Sequence, residues 1–122
     1  VNGIKAVDID LMLLSYGDLL AEECDRNSIR MIHEGFIDLN YNKEGELILE
    51  RDKQKRDPKE MAQRAVNLAN KHSIQTISGN WLKLPIQSIC VHGDGPNATE
   101  IAEAVRNALI AEGHKIVGLN DL

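Results

Sequence analysis

The sequence predicts an α/β fold built on a parallel sheet with crossover helices. Three observations carry the prediction. Short apolar runs recur at residues 11–14, 29–32 and 86–91. Each runs out into a polar or glycine-containing segment, with no two-residue hairpin turn between neighbouring runs. Helix-period patterns follow the first and the last of them. A buried strand that enters a glycine-containing turn and then a helix is half of a βαβ unit. In open parallel sheets and in barrels, chemistry collects at the carboxyl ends of such strands.

The first apolar run, Leu11-Met12-Leu13-Leu14, follows the acidic Asp8-Ile9-Asp10 and is expected to be a buried strand with Ser15-Tyr16-Gly17-Asp18 as its exit. A helix is expected from Asp18 to about Arg26, with Asn27 as its stop. Residues 29–32 make the second strand, and residues 33–38 its polar exit. Residues 39–56 form an excursion. Asn42 to Glu46 is turn chemistry, residues 47–49 are extended, and the mixed-charge run 50–56 is expected to be a solvated surface loop. The functional alternative for that run is a mobile loop whose cations hold an anionic substrate.

Asp57-Pro58-Lys59-Glu60 opens a helix, with Asp57 as cap, Pro58 at the first position and Glu60 closing a capping box. Met61, Ala65, Leu68 and Ala69 give that helix its apolar stripe. Residues 74–84 fit a hairpin turning at Gly79-Asn80, with Trp81 expected to pack in the core rather than lid a pocket. The third parallel strand is 86–91. A second capping box, Asn97 to Glu100, starts a helix carrying Ile101, Val105, Ala108 and Leu109, with Gly113 at its end. Residues 115–119 fit one more strand.

Composition narrows the function. The 122 residues suffice for one ordinary domain with a real core. The net charge of −5 and the lack of a basic block leave no footprint for nucleic acid. No apolar run approaches the roughly 20 residues that span a bilayer. No signal-peptide pattern opens the chain, and the two cysteines, Cys24 and Cys90, form no CxxC pair. A cytoplasmic protein with thiols is therefore expected, a Cys24–Cys90 disulfide being the alternative. The start at Val1 is what a processed or partial chain would show.

The richest stretch is residues 86–99. Strand alternation puts Ile89 and Val91 on one face, and Ser88, Cys90, His92 and, if the strand persists, Asp94 on the other. A buried strand with one polar face needs partners for those groups. They are either a satisfied hydrogen-bond network or a site. His92 and Asp94 at a strand end, before a helix N-terminus, suit base and orienter in proton transfer, or two metal ligands lacking the usual third. Cys90 is best taken as a small buried hydrophobe. The helix N-terminus after Asp94 could receive a carboxylate or phosphate, but neither a GK[ST] loop nor GxGxxG is present. Three or four parallel strands leave open edges, whereas a closed β/α barrel takes about 250 residues. The pattern therefore corresponds to about half of such a barrel.

Cys90-Val91-His92-Gly93-Asp94, preceded by Ile89 and followed by a helix, resembles the CVHGD signature of the LamB/YcsF family. Glu34 to Tyr41 resembles that family's E-x-FADR-x-Y segment, and Gly45-Glu46-Leu47 followed by Arg51 its G-x-L…R. Asp57-Pro58 and the last helix agree in order and spacing. Leu39 stands where the family has the arginine of FADR, and the family's N-terminal motifs have no counterpart here. The resemblance implies the C-terminal half of a β/α barrel of the glycoside hydrolase/deacetylase type. It implies a part in the A subunit of prokaryotic 5-oxoprolinase, which opens 5-oxo-L-proline to L-glutamate with ATP and partner subunits B and C. It puts His92 in the role of acid/base or ligand, with Asp94 as its partner, and Asp38 and Gly93 at the substrate, complete only with the N-terminal half. A divalent metal is compatible with it. Two other readings stand beside it: a metal-dependent deacetylase or amidohydrolase on the same barrel, and a truncated, non-catalytic assembly partner.

Overall fold

The computed structural model describes residues 1–8 and 10–122; Ile9, in the acidic lead-in to the first strand, lies outside the described residues. A helix that the sequence pattern does not announce, α1 (Asn2–Val7), comes first. The parallel sheet is built from β1 (Leu13–Ser15), β2 (Met31–Phe36) and β7 (Ser88–Cys90), in the order β1-β2-β7. Both pairings are parallel, as expected. The register is staggered: β1 pairs with residues 31–33 of the central strand and β7 with residues 34–36.

The second strand runs four residues past its expected end because β7 pairs with the segment taken for its polar exit. Glu34 and Phe36 lie opposite Ser88 and Cys90, so these four share one face. Gly35 lies opposite Ile89 on the other. A Cβ at Gly35 would meet Ile86 Cγ2 at 3.0 Å and Leu68 Cδ1 at 3.2 Å, so only glycine lets the helix layer approach this closely. The first strand is not buried as expected: Leu14 within it and Leu11 ahead of it are exposed at this edge of the sheet.

Helix α2 (Asp18–Arg26) spans its expected range and buries Cys24. The expected hairpin is present as β5 (Ser73–Gln75) with β6 (Trp81–Lys83), and the excursion, with its turn and extended piece, proves to hold a second hairpin, β3 (Asn40–Tyr41) with β4 (Leu47–Ile48). Between them lies α3 (Pro58–Lys71), whose cap is Asp57 Oδ1 accepting from the Lys59 N–H at 2.9 Å, with Glu60 adding acidic charge to the first turn. The last helix, α4 (Ala98–Ala111), packs on α3. It ends in a Schellman turn: Gly113 (φ 86°) donates to Ile110 O and His114 to Leu109 O, both at 3.0 Å. Met61, Ala65 and Leu68 of α3 and Ile101 and Val105 of α4 share one core with Phe36, Ile37, Leu39 and Tyr41.

Three further expectations give way. Trp81 is 54% exposed, because alternation along β6 turns its neighbour Leu82 to the core and Trp81 to the other face. Asn97 makes no side-chain cap to α4. Residues 115–118 form no strand and lead into a 3-10 turn at Leu119–Asp121. Cys24 and Cys90 are free thiols, the expected state rather than the disulfide alternative. Among the described residues no helix is long and apolar enough to cross a membrane.

Candidate active site

The ends of β2 and β7 meet at His92, and the end of β1 reaches it through Phe36. Val91, just before it, packs against the core, which holds the chain as it leaves β7. Ile37 and Leu39 are anchored in the same core at 0% and 4% exposure, so Asp38 between them faces the other way. The turn is secured twice more. The Phe36 N–H donates to Tyr41 Oη at 3.0 Å, and Arg64 Nη2 donates to Leu39 O at 2.6 Å. Burial pushes the Tyr41 hydroxyl up to about 12, so it stays protonated there.

Asp38 takes hold of His92 at two points. Its Oδ2 accepts from the His92 backbone N–H at 2.7 Å, and its Oδ1 lies 2.8 Å from His92 Nδ1. The carboxylate is only 9% exposed and uses both oxygens, as a buried charge requires. The imidazole also stacks on Phe36, with ring centroids 5.8 Å apart, and Tyr16 meets Phe36 edge-on at 5.3 Å. Tyr16 follows β1, Asp38 follows β2 and His92 follows β7, so each strand end contributes one side chain. On the shared strand face below, burial pushes the Glu34 carboxyl up, opposed by the His92 charge. Burial likewise pushes the Cys90 thiol up to about 11, with Glu34 and Asp38 adding to it, so Cys90 is a neutral thiol.

The expected pairing of His92 with Asp94 is therefore replaced by His92 with Asp38. Alternation fails past Cys90 because β7 ends there and Gly93 and Asp94 lie in a turn. Asp94 pairs instead with Lys53, Oδ1 to Nζ at 2.9 Å. Gly93 sits between His92 and Asp94, with nothing within 4 Å of the place a Cβ would take. The charged run is not simply solvated: Lys53 is mostly covered, and Arg56 pairs with Glu50. Asn97 explains its missing cap. Its Oδ1 accepts from the Arg56 N–H at 3.2 Å and its Nδ2 donates to Arg56 O at 2.8 Å, so the start of α4 is bonded to this chain's own loop. Sequence reasoning missed Tyr16, Phe36 and Asn97 as parts of the site. Lys53 was legible only as one cation among several in a charged run.

Among the described residues no group of three or more His, Cys, Asp or Glu side chains is gathered to hold a metal ion. No phosphate cradle of the GK[ST] kind is present either.

The family model described as LamB/YcsF family matches residues 1–122. The chain belongs to the LamB/YcsF family. Among its LamB/YcsF relatives, the 5-oxoprolinase A subunit of Pyrococcus abyssi is 34% identical over 125 residues, covering 99% of this chain and 49% of that protein. The first-numbered 5-oxoprolinase A subunit of Agrobacterium fabrum is 34% identical over 116 residues, covering 93% and 46%. The crystal structure of the lactam utilization protein from Thermus thermophilus superposes with a TM-score of 0.82 at 29% identity, covering 94% of this chain and 47% of that one. The chain thus spans about half the length of the curated relatives it matches.

Proposed function

We propose that this chain forms the C-terminal half of a 5-oxoprolinase A subunit, acting in the cytoplasm to open 5-oxo-L-proline to L-glutamate in an ATP-dependent reaction. The single observation that carries the proposal is the double grip of Asp38 on His92. Opening a lactam adds water's oxygen to the carbonyl carbon and breaks the ring C–N bond. The nitrogen leaves with a proton, so a group must take a proton from water and return one to nitrogen. Asp38 holds Nδ1, which fixes the ring and leaves Nε2 for that exchange. A carboxylate so placed also stabilises the imidazolium that forms, the role of the acidic member in acid–base triads.

The staggered three-stranded sheet with two open edges is consistent with part of a barrel, whose remaining strands come from the half of the family's length that this chain does not cover. ATP binding, and that of a divalent ion if one is used, is assigned under this reading to the complete assembly with partner subunits B and C. The test is reconstitution: this chain, a supplied N-terminal half and subunits B and C, assayed for glutamate formed from 5-oxo-L-proline with ATP. Turnover that requires all the parts supports the proposal. Reconstituted material that binds together but forms no glutamate contradicts it.

A further inference from the structure

The loop from β4 to α3 carries Lys53, whose side chain is only 17% exposed although the run around it is almost wholly charged. Its partner Asp94 is 72% exposed. The pair is lopsided: the ammonium is covered and the carboxylate stands in water. The loop is pinned on either side of Lys53, by the Arg56–Glu50 pair and by the two bonds from Asn97 to the Arg56 backbone. Glu50 is thereby engaged elsewhere. Lys53 borders a small pocket with Asp38, Glu50, His92 and Asn97.

A covered ammonium calls for an anion against it, since burial removes the water that would otherwise balance its charge. A solvated carboxylate can leave at little cost, provided another anion takes its place. We propose that Lys53 is the carboxylate-recognising group of this site, and that Asp94 occupies it until a small carboxylate ligand displaces it. The Lys53 ammonium also holds the Asp94 carboxyl below the usual range, which accords with a pair formed in the free state. The inference rests on the proposed function for the reacting end, because a carboxylate at Lys53 would bring the rest of the ligand to the pocket that His92 and Asp38 border.

Calorimetric titration of the assembly of this chain with the supplied N-terminal half tests it with three probes. The probes are 5-oxo-L-proline, cyclopentanecarboxylate (a carboxylate without the lactam) and pyrrolidin-2-one (a lactam without the carboxylate). Lys53→Met should weaken both carboxylates about tenfold or more, the scale of a lost charge-assisted bond. Lys53→Arg should retain them. Asp94→Asn, which removes the competitor, should tighten both about fivefold. Neither Lys53→Met nor Asp94→Asn should change pyrrolidin-2-one. The inference is overturned if wild type binds neither carboxylate, if Lys53→Met binds them as wild type does, or if Asp94→Asn binds them no tighter. Should Lys53→Met prove unfolded by circular dichroism, the Asp94→Asn arm decides. Equal affinity for the two carboxylates, both lost with Lys53, would count against the lactam reading and leave Lys53 in place.

Discussion

Asp38 and His92 lie 54 positions apart in the chain, and the burial of Ile37 and Leu39 on either side of Asp38 is what turns its carboxylate towards the ring. No local spacing encodes such a pair. The residue nearest His92 in sequence with the right chemistry is Asp94, and proximity along the chain points to the wrong carboxylate. Tyr41 shows how tightly the Asp38 turn is set. Tyr41→Phe leaves the Phe36 N–H without its acceptor in a buried place. We expect a loss of about 1–3 kcal/mol in urea unfolding; an unchanged midpoint would remove Tyr41 from the support of the turn. Cys90 gives a pH prediction. Its thiol is raised from an ordinary 9.0 to about 11 in the folded chain. The folded state therefore favours the protonated thiol, and its contribution is full below pH 9 and lost as pH rises through about 11. Thermal melts of wild type and Cys90→Ser should diverge across that window, with wild type losing the more. Parallel melting curves would show that burial does not govern the thiol.

Elements were more legible than their contacts. Asp57-Pro58 announced α3, and Gly113 announced the end of α4, because caps are local chemistry. The extension of β2 through Gly35 was hidden. A polar Glu34 followed by glycine is the signature of a strand exit, and only pairing with β7 keeps those residues extended. Gly35→Ala should cost about 1–3 kcal/mol by forcing Ile86 and Leu68 apart. A variant as stable as wild type in urea would show that the α3 layer yields freely at that point. Asn97 fooled the capping-box reading because the same side chain has a better use, accepting from the Arg56 N–H and donating to the Arg56 carbonyl. Asn97→Ala should leave α4 formed while exchange of the Arg56 amide rises about tenfold, the scale of one lost hydrogen bond. Exchange that rises equally in α4 would mean that Asn97 stabilises the helix instead.

For the whole molecule, the parallel sheet was predictable from the order of runs and exits, and the fold agrees with that of the Thermus thermophilus lactam utilization protein. What the sequence could not convey is where the apolar surface goes. Leu14, Leu19, Trp81 and Leu122 are all exposed in this chain, and periodicity marks a residue as apolar without saying what covers it. About half of each curated relative lies beyond the matched region, and under the proposed function that half supplies cover and the opposite wall of the pocket. The central claim is that His92 moves the proton under the hold of Asp38. It is tested most directly by Asp38→Asn in the reconstituted assembly, read as the rate of ATP-dependent glutamate formation from 5-oxo-L-proline. The account predicts a loss of about 10²–10⁴-fold in kcat with assembly intact; a rate equal to wild type would contradict it.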